Sequence, residues 1–427
     1  MQKMQIVIFN YWQTYKMGKM ASMINRREFL TKFLVGIGAA TALRSPLAVA
    51  QTPGATIASS PEKNSIEAKA LTNCLNLIRE NQLANGAINM RKERDPNNPD
   101  DRKQAIENGE NPDERKVDTV RVIPYFANLS ALALLSSYSR RTRNPEDLQR
   151  AAKWLAFYAA NQLPDSGYIS DYTGSFSRGG FRSKGEVDSV DSYASTFLQA
   201  ADFYYQVVKL EPLPEQKKLE DIVSSGQLLL AAKRSLHAIQ TVMDADGLTW
   251  AKPDYKVKYL LDNAEVYGGL VAGIRLFKAL GAEEDVAKAT EMAMRSSAAL
   301  PVYWQENNQR FAWAKMENGT LESGMEKNYP DALANLCGLA WISGKNTTPW
   351  EQVKKRFQPA TGNPLERWVM AAIGVADPAA EQWRQMLIKE AEGFSENTNG
   401  NRPAMAILTI LAGRSWLPSI AESRLKG

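Results

Sequence analysis

From Ser65 onward the apolar residues recur with the 3.6-residue period of helices, and the pattern predicts twelve helices in six consecutive pairs. The odd members are amphipathic and charged, over roughly 65–84, 146–162, 216–243, 283–300, 349–357 and 378–394. The fourth alone carries Glu283, Glu284, Asp285, Lys288, Glu291 and Arg295. The even members, over 122–135, 193–208, 266–280, 332–342, 368–376 and 404–412, contain only Asp202, Arg275 and Lys278 as charged residues. A helix apolar nearly all round must be buried, whereas a striped one faces water on one side. Charged helices alternating with apolar ones therefore predict an all-α fold of two concentric rings, with the even helices inside.

The even helices are expected to start near residues 121, 192, 264, 331, 366 and 403. Four hairpins of about 70 residues thus precede two of about 36, the periodicity of a repeat architecture. Trp250-Ala251-Lys252 recurs as Trp313-Ala314-Lys315, and Gly86-Ala87-Ile88 as Gly167-Tyr168-Ile169. On this layout the chain resembles the six-hairpin glycosidase superfamily, whose fold is an (α/α)6 toroid. A closed barrel is the expectation; an open helical solenoid carries the same pattern.

Charge changes the picture at one end only. The chain has 52 basic and 47 acidic residues, but residues 1–50 hold seven of the basic groups and only one acid, Glu28. Without them the balance is close to neutral, so no basic stripe calls for nucleic acid. Asn25-Arg26-Arg27-Glu28-Phe29-Leu30 resembles the twin-arginine export motif. The apolar run Phe33 to Leu43 is too short to span a bilayer, and Ala48-Val49-Ala50 ends as a cleavage site does. The resemblance implies passage through the twin-arginine export machinery, cleavage after Ala50, and a periplasmic or secreted protein with no stable membrane span after processing. Residues 51–64 read as a linker, leaving 65–427 as a single barrel domain.

One His and two Cys rule out a zinc finger, a His-rich metal centre and a disulfide framework. Cys74 and Cys337, each flanked by apolar residues, are expected as free buried thiols. The acidic run Asp95 to Asp101 lacks the glycine of a calcium loop and has Pro99 at a ligand position. No nucleophile elbow, phosphate loop or dinucleotide fingerprint is present. Chemistry is left to carboxylates, Arg, Lys and Tyr, with no cofactor or metal.

The long connections, 85–120, 163–191, 244–263 and 301–330, all lead from odd to even helices, so they gather over the N-terminal ends of the inner ring. Loops on a rigid scaffold are where binding sites form. Acids recur there: Asp118, Asp188, Asp191, Asp262, Glu265 and Asp331. Aromatic residues share the same connections, among them Tyr168, Tyr172, Tyr255, Tyr259, Trp250 and Trp313. An acid at a helix start is commonly a cap. Asp191, Asp262 and Glu265 stand out because they approach or enter segments otherwise nearly free of charge, where an unpaired carboxylate is costly. Asp118, Arg121 and Tyr125 form a second patch, able to hold a sugar hydroxyl or carboxylate or to serve as a structural ion pair. The segment Glu186 to Ala200 is similar to the acidic segment opening an inner helix in glycoside hydrolase family eight, and the resemblance implies a catalytic or subsite role for Asp191.

The expectation is an exported glycoside hydrolase acting on a polysaccharide or oligosaccharide, inverting by slight preference. Its catalytic carboxylates are Asp191, Asp262 and Glu265. Its substrate-binding residues are Asp118, Arg121, Tyr125, Tyr168, Tyr172, Asp188, Trp250, Trp313 and Asp331. Two alternatives stay open: a polysaccharide lyase on the same scaffold, and a non-catalytic glycan-binding or envelope-assembly protein.

Overall fold

The computed structural model describes residues 65–90, 102, 106, 111–113, 119–175, 180–342, 347–360, 363–395, 398 and 400–412. The export segment and linker expected over 1–64, the acidic run 95–101 and Asp118 lie outside them. Among the described residues no helix is long and apolar enough to cross a membrane. None of their His, Cys, Asp and Glu side chains form a group that could hold a metal ion.

Among the described residues six inner helices alternate with six outer ones. The inner set is α2 (Pro124–Ser137), α4 (Val190–Val208), α7 (Leu260–Ala279), α9 (Leu333–Trp341), α11 (Leu365–Gly374) and α13 (Asn401–Ala412). The outer set is α1 (Ile66–Glu80), α3 (Pro145–Asn161), α6 (Ser225–Val242), α8 (Glu283–Ala299), α10 (Thr348–Arg356) and α12 (Ala380–Glu392). Each inner helix touches the next, and α13 returns to α2, so the inner ring is closed and the solenoid is excluded. The fold is all-α, an (α/α)6 toroid. Small residues allow the inner helices to approach closely: a Cβ added at Gly269 of α7 would sit 2.5 Å from the Ser195 Cα of α4.

The first and last outer helices meet as well. The Asn73 amide of α1 donates to the carbonyls of Ala391, at 3.1 Å, and Phe394, at 2.8 Å, capping the end of α12. Glu67 binds Arg141 at 2.9 Å and Arg384 at 2.7 Å.

One outer helix differs from expectation. The segment expected as one helix over 216–243 is two, α5 (Leu213–Glu220) and α6. Ser224 divides them with a capping box: its Oγ accepts from the Gln227 backbone at 3.1 Å, and the Gln227 side chain accepts from the Ser224 backbone at 2.9 Å.

Glycine turns account for the repeat at Gly86 and Gly167, and Gly247 makes a third turn of the same kind. Gly86, Gly167 and Gly247 hold φ of +94°, +72° and +89°, and a Cβ at any of them would strike a backbone carbonyl of the next outer helix, at Lys153, Arg234 and Arg295. Gln82 and Gln162 reinforce the first two turns by donating to the Arg150 and Ala231 carbonyls, at 2.8 Å and 3.3 Å.

The long connections fold into short antiparallel sheets that the helical period did not reveal. One joins β1 (Thr119–Val122), β2 (Tyr172–Ser175) and β3 (Gly180–Ser183), with Val122 opposite Tyr172 and Tyr172 opposite Ser183. After β4 (Val257–Tyr259), a two-stranded hairpin pairs β5 (Trp304–Gln305) with β6 (Arg310–Phe311). The third sheet is β4 with β7 (Ala314–Met316) and β8 (Leu321–Glu322), with Tyr259 opposite Ala314. The Trp-Ala-Lys repeats belong to this layer: the Ala251 carbonyl accepts from Val190, the first residue of α4, and the Trp313 carbonyl from Leu260, the first of α7.

Candidate functional site

A cavity of about 680 Å³ opens at the N-terminal end of the inner ring. All six inner helices reach it from their first turns, through Tyr125, Ser192, Asp262, Leu333, Arg367 and Asn401. That convergence follows from a toroid of like-directed inner helices, whose starts must all meet at one end. The described cysteines are free and buried, as expected, and the Cys337 thiol borders the cavity with burial pushing its pKa up to about 11.

Asp262, in the first turn of α7, is partly exposed to this cavity. Its nearest donor is Ser189 Oγ at 3.4 Å, a long contact to a hydroxyl that also lies 2.7 Å from Asp191. Burial, then the nearby negative charges of Asp191, Glu265 and Asp188, hold its carboxyl well above the usual carboxylate range. A carboxyl held up in this way is biased toward its protonated form, the form that can donate. Asp188 is exposed and borders the same cavity.

Asp191 and Glu265 lie behind the wall. The Asp191 carboxylate is fully buried and saturated: Ser189 Oγ donates at 2.7 Å and the Ser192 backbone at 2.8 Å to Oδ1, and Thr249 Oγ1 donates at 2.7 Å to Oδ2. Burial raises its pKa to about 6 against the pull of those donors. Glu265 is fully buried too; its Oε1 accepts from the Tyr125 hydroxyl at 2.6 Å, and its Oε2 has no hydrogen-bond partner. Burial lifts Glu265 to about 8, opposed by the Tyr125 hydrogen bond and the Arg367 charge. Tyr193 repeats the Tyr125 arrangement on the next inner helix, donating to Asp171 Oδ1 at 2.7 Å; burial lifts Asp171 to about 6. In both pairs the tyrosine borders the cavity, and its proton points at the acid behind. The oxygen is thereby left to accept from a ligand hydroxyl.

The other expected binding residues divide. Tyr125, Asp188 and Trp313 border the cavity. Trp250 does not: Lys258 sits over its ring at 4.0 Å while bonding Asp244 at 2.6 Å and Asp246 at 2.8 Å, a structural cluster. Tyr168 bonds Thr241 of α6 at 2.8 Å, and Tyr172 packs edge-on against Phe157 at 5.5 Å. Arg121 lies in β1 opposite Thr173, its backbone held by Asn89 Oδ1 at 2.7 Å. The Asp331 carboxylate caps a turn, accepting from the backbones of Glu326 at 2.9 Å and Lys327 at 3.0 Å.

Two cavity residues were missed in the sequence. Arg367, 8% exposed and 5.4 Å from the Trp341 ring, immediately precedes the apolar run taken as the start of its helix. Tyr329 sits at the end of the connection that also carries Trp313, where nothing in the sequence marks its ring as facing the cavity.

No protein-family model matches the chain, and no curated protein matches its sequence. In fold it is similar to a glycosidase solved in complex with glucose, with a TM-score of 0.51 and 10% identity over 83% of this chain and 98% of that one. A rhamnosidase from Klebsiella oxytoca with rhamnose bound gives a TM-score of 0.48 at 13% identity, covering 83% of this chain and 65% of that one, so the chain spans about two thirds of the rhamnosidase. A mannosylglycerate hydrolase from Thermus thermophilus in complex with glucose gives 0.49 at 10% identity, over 81% of this chain and all of that one.

Proposed function

We propose that the chain is an exported glycoside hydrolase that cleaves a polysaccharide or oligosaccharide by carboxylate acid/base catalysis. The observation that carries this reading is Asp262, a carboxyl opening onto an aromatic-walled cavity and biased by its surroundings to stay protonated. Asp262 gives its proton to the glycosidic oxygen as the bond to the anomeric carbon breaks. Asp188 takes a proton from the water that attacks that carbon, and inversion results if water fits between carboxylate and sugar. Asp191 and Glu265 act from behind, one by its charge beside Asp262 and the other by orienting Tyr125. Export by the twin-arginine route, cleavage after Ala50 and a periplasmic or secreted location complete the proposal.

The test is product release by residues 51–427 from neutral and uronic-acid glycans, beside Asp262→Asn and Asp188→Asn. Reducing ends without unsaturated products, lost in folded variants, support the hydrolase. The anomeric form of the first product separates inversion from retention. A lyase is the second reading, favoured by Tyr125 and Arg367 at one cavity, a base and a cation for a uronate carboxylate. Unsaturated products would establish it, and binding without turnover would point to a glycan-binding protein.

A further inference from the structure

Exposed aromatic rings are confined to one place in the described residues. Among the large apolar side chains that face water, the aromatic ones are Tyr255, 44% exposed, and Tyr329, 71% exposed. Both border the cavity. From Tyr255 the rings continue: Tyr259 lies 6.4 Å away at 33°, and Trp313 lies 6.0 Å from Tyr259 at 25°. The Tyr255 and Tyr259 hydroxyls share a hydrogen bond of 3.0 Å. Tyr259 and Trp313 are half-buried and also border the cavity, so the series passes from its wall to open solvent.

Burying such rings would be favourable, so their exposure at the mouth calls for a use. Tilted rings with polar tips offer what a sugar chain covers: flat apolar area beneath the C–H face of a pyranose, and hydroxyls at its edge. The cavity receives the polar groups of the inner helices, whereas the rim offers rings.

We propose that Tyr259, Tyr255 and Tyr329 form an outer shelf, and that the ligand is a linear glycan chain longer than the cavity, its further units lying on these rings. The inference rests on the glycosidase reading for its choice of ligand. It adds that the chain is held beyond the bond to be cleaved, so affinity grows with ligand length.

The experiment titrates xylo-, cello- and malto-oligosaccharides of two to six units into the Asp262→Asn chain by calorimetry, alone and combined with Tyr255→Ala or Tyr329→Ala. Hydrolysis of the same series by the unsubstituted chain is followed in parallel. In the series that binds, affinity is expected to rise with length, and each alanine to cut the long-to-short affinity ratio by about three- to tenfold. Both tyrosines are exposed, and thermal melts of the variants report that the fold is kept. Affinity independent of length, or a ratio unmoved in both variants, overturns the shelf even where hydrolysis proceeds. Length-dependent binding without any hydrolysis sinks the glycosidase reading and leaves the shelf standing. No binding in any series counts against both.

Discussion

Helices α4 and α7 stand side by side in the inner ring, and each carries an acid in its first turn. Asp191 of α4 accepts from two hydroxyls and a backbone amide and has no exposed surface. Asp262 of α7 keeps one long hydrogen bond and faces the cavity. The difference comes from the neighbouring segments: Thr249 and Ser189 close over Asp191, while no comparable donors close over Asp262. An acid at a helix start is thus enclosed or left open by the segments around it, of which only Thr249 is distant in sequence.

The sharpest way to break this contrast is Asp262→Asn. Turnover is expected to fall by about 10²–10⁴-fold with the thermal midpoint kept or raised, since an acid poorly served by donors is replaced by a neutral amide. Equal activity in the variant, measured by reducing-end release, would end the distinction. Asp191→Ala should cost mainly stability, and some turnover through the charge lost beside Asp262. It removes the acceptor that the Thr249 and Ser189 hydroxyls and the Ser192 amide share, and denaturant unfolding should show a loss of about 2–4 kcal/mol.

Next in size is the response to pH. Glu265 binds its proton up to about pH 8 in the fold, and Asp191 and Asp171 up to about 6, against ordinary values of 4.5 and 3.8. The native state therefore holds more protons than the unfolded chain above about pH 4, and stability falls as pH rises: through about 6 for the two aspartates and through about 8 for Glu265. Urea unfolding should show a loss of about 2 kcal/mol between pH 6 and pH 7. A rise over that interval would mean these carboxyls are ionised in the fold. Smallest is Thr249→Val, which removes one donor from Asp191. It should cost about 1 kcal/mol in melts and leave turnover within about twofold.

The double ring was legible because burial of whole helices leaves a mark that needs no partner to be read: α2 and α9 are apolar on every side. Helix starts were harder. Asp262, Asn263 and Glu265 make the first turn of α7 read as loop, although the Asn263 amide is engaged there with the Thr249 and Tyr259 carbonyls at 3.1 Å and 2.9 Å. The acids at the N-terminal end were also legible, as residues out of place beside apolar runs. Which of them meets solvent was not, because the sequence around Asp191 says nothing of Thr249. Glu366 of α11 and Arg402 of α13 are bound to each other at 3.2 Å. That pairing joins consecutive inner helices, and it shows only once their starts are set side by side.

The closure through Asn73 bears on how the chain reaches this state. Its amide meets carbonyls more than 300 residues away, and α13 must lie against α2 before the inner ring is complete. Contacts of such separation slow folding, because the ends of a long loop must find each other before the contact rewards them. During synthesis the early hairpins can assemble in order, but α1 has no neighbour to cap until α12 has emerged. Acquisition of the native ring is therefore a late event, and a chain stopped before residue 380 leaves both the first outer helix and the cavity unfinished.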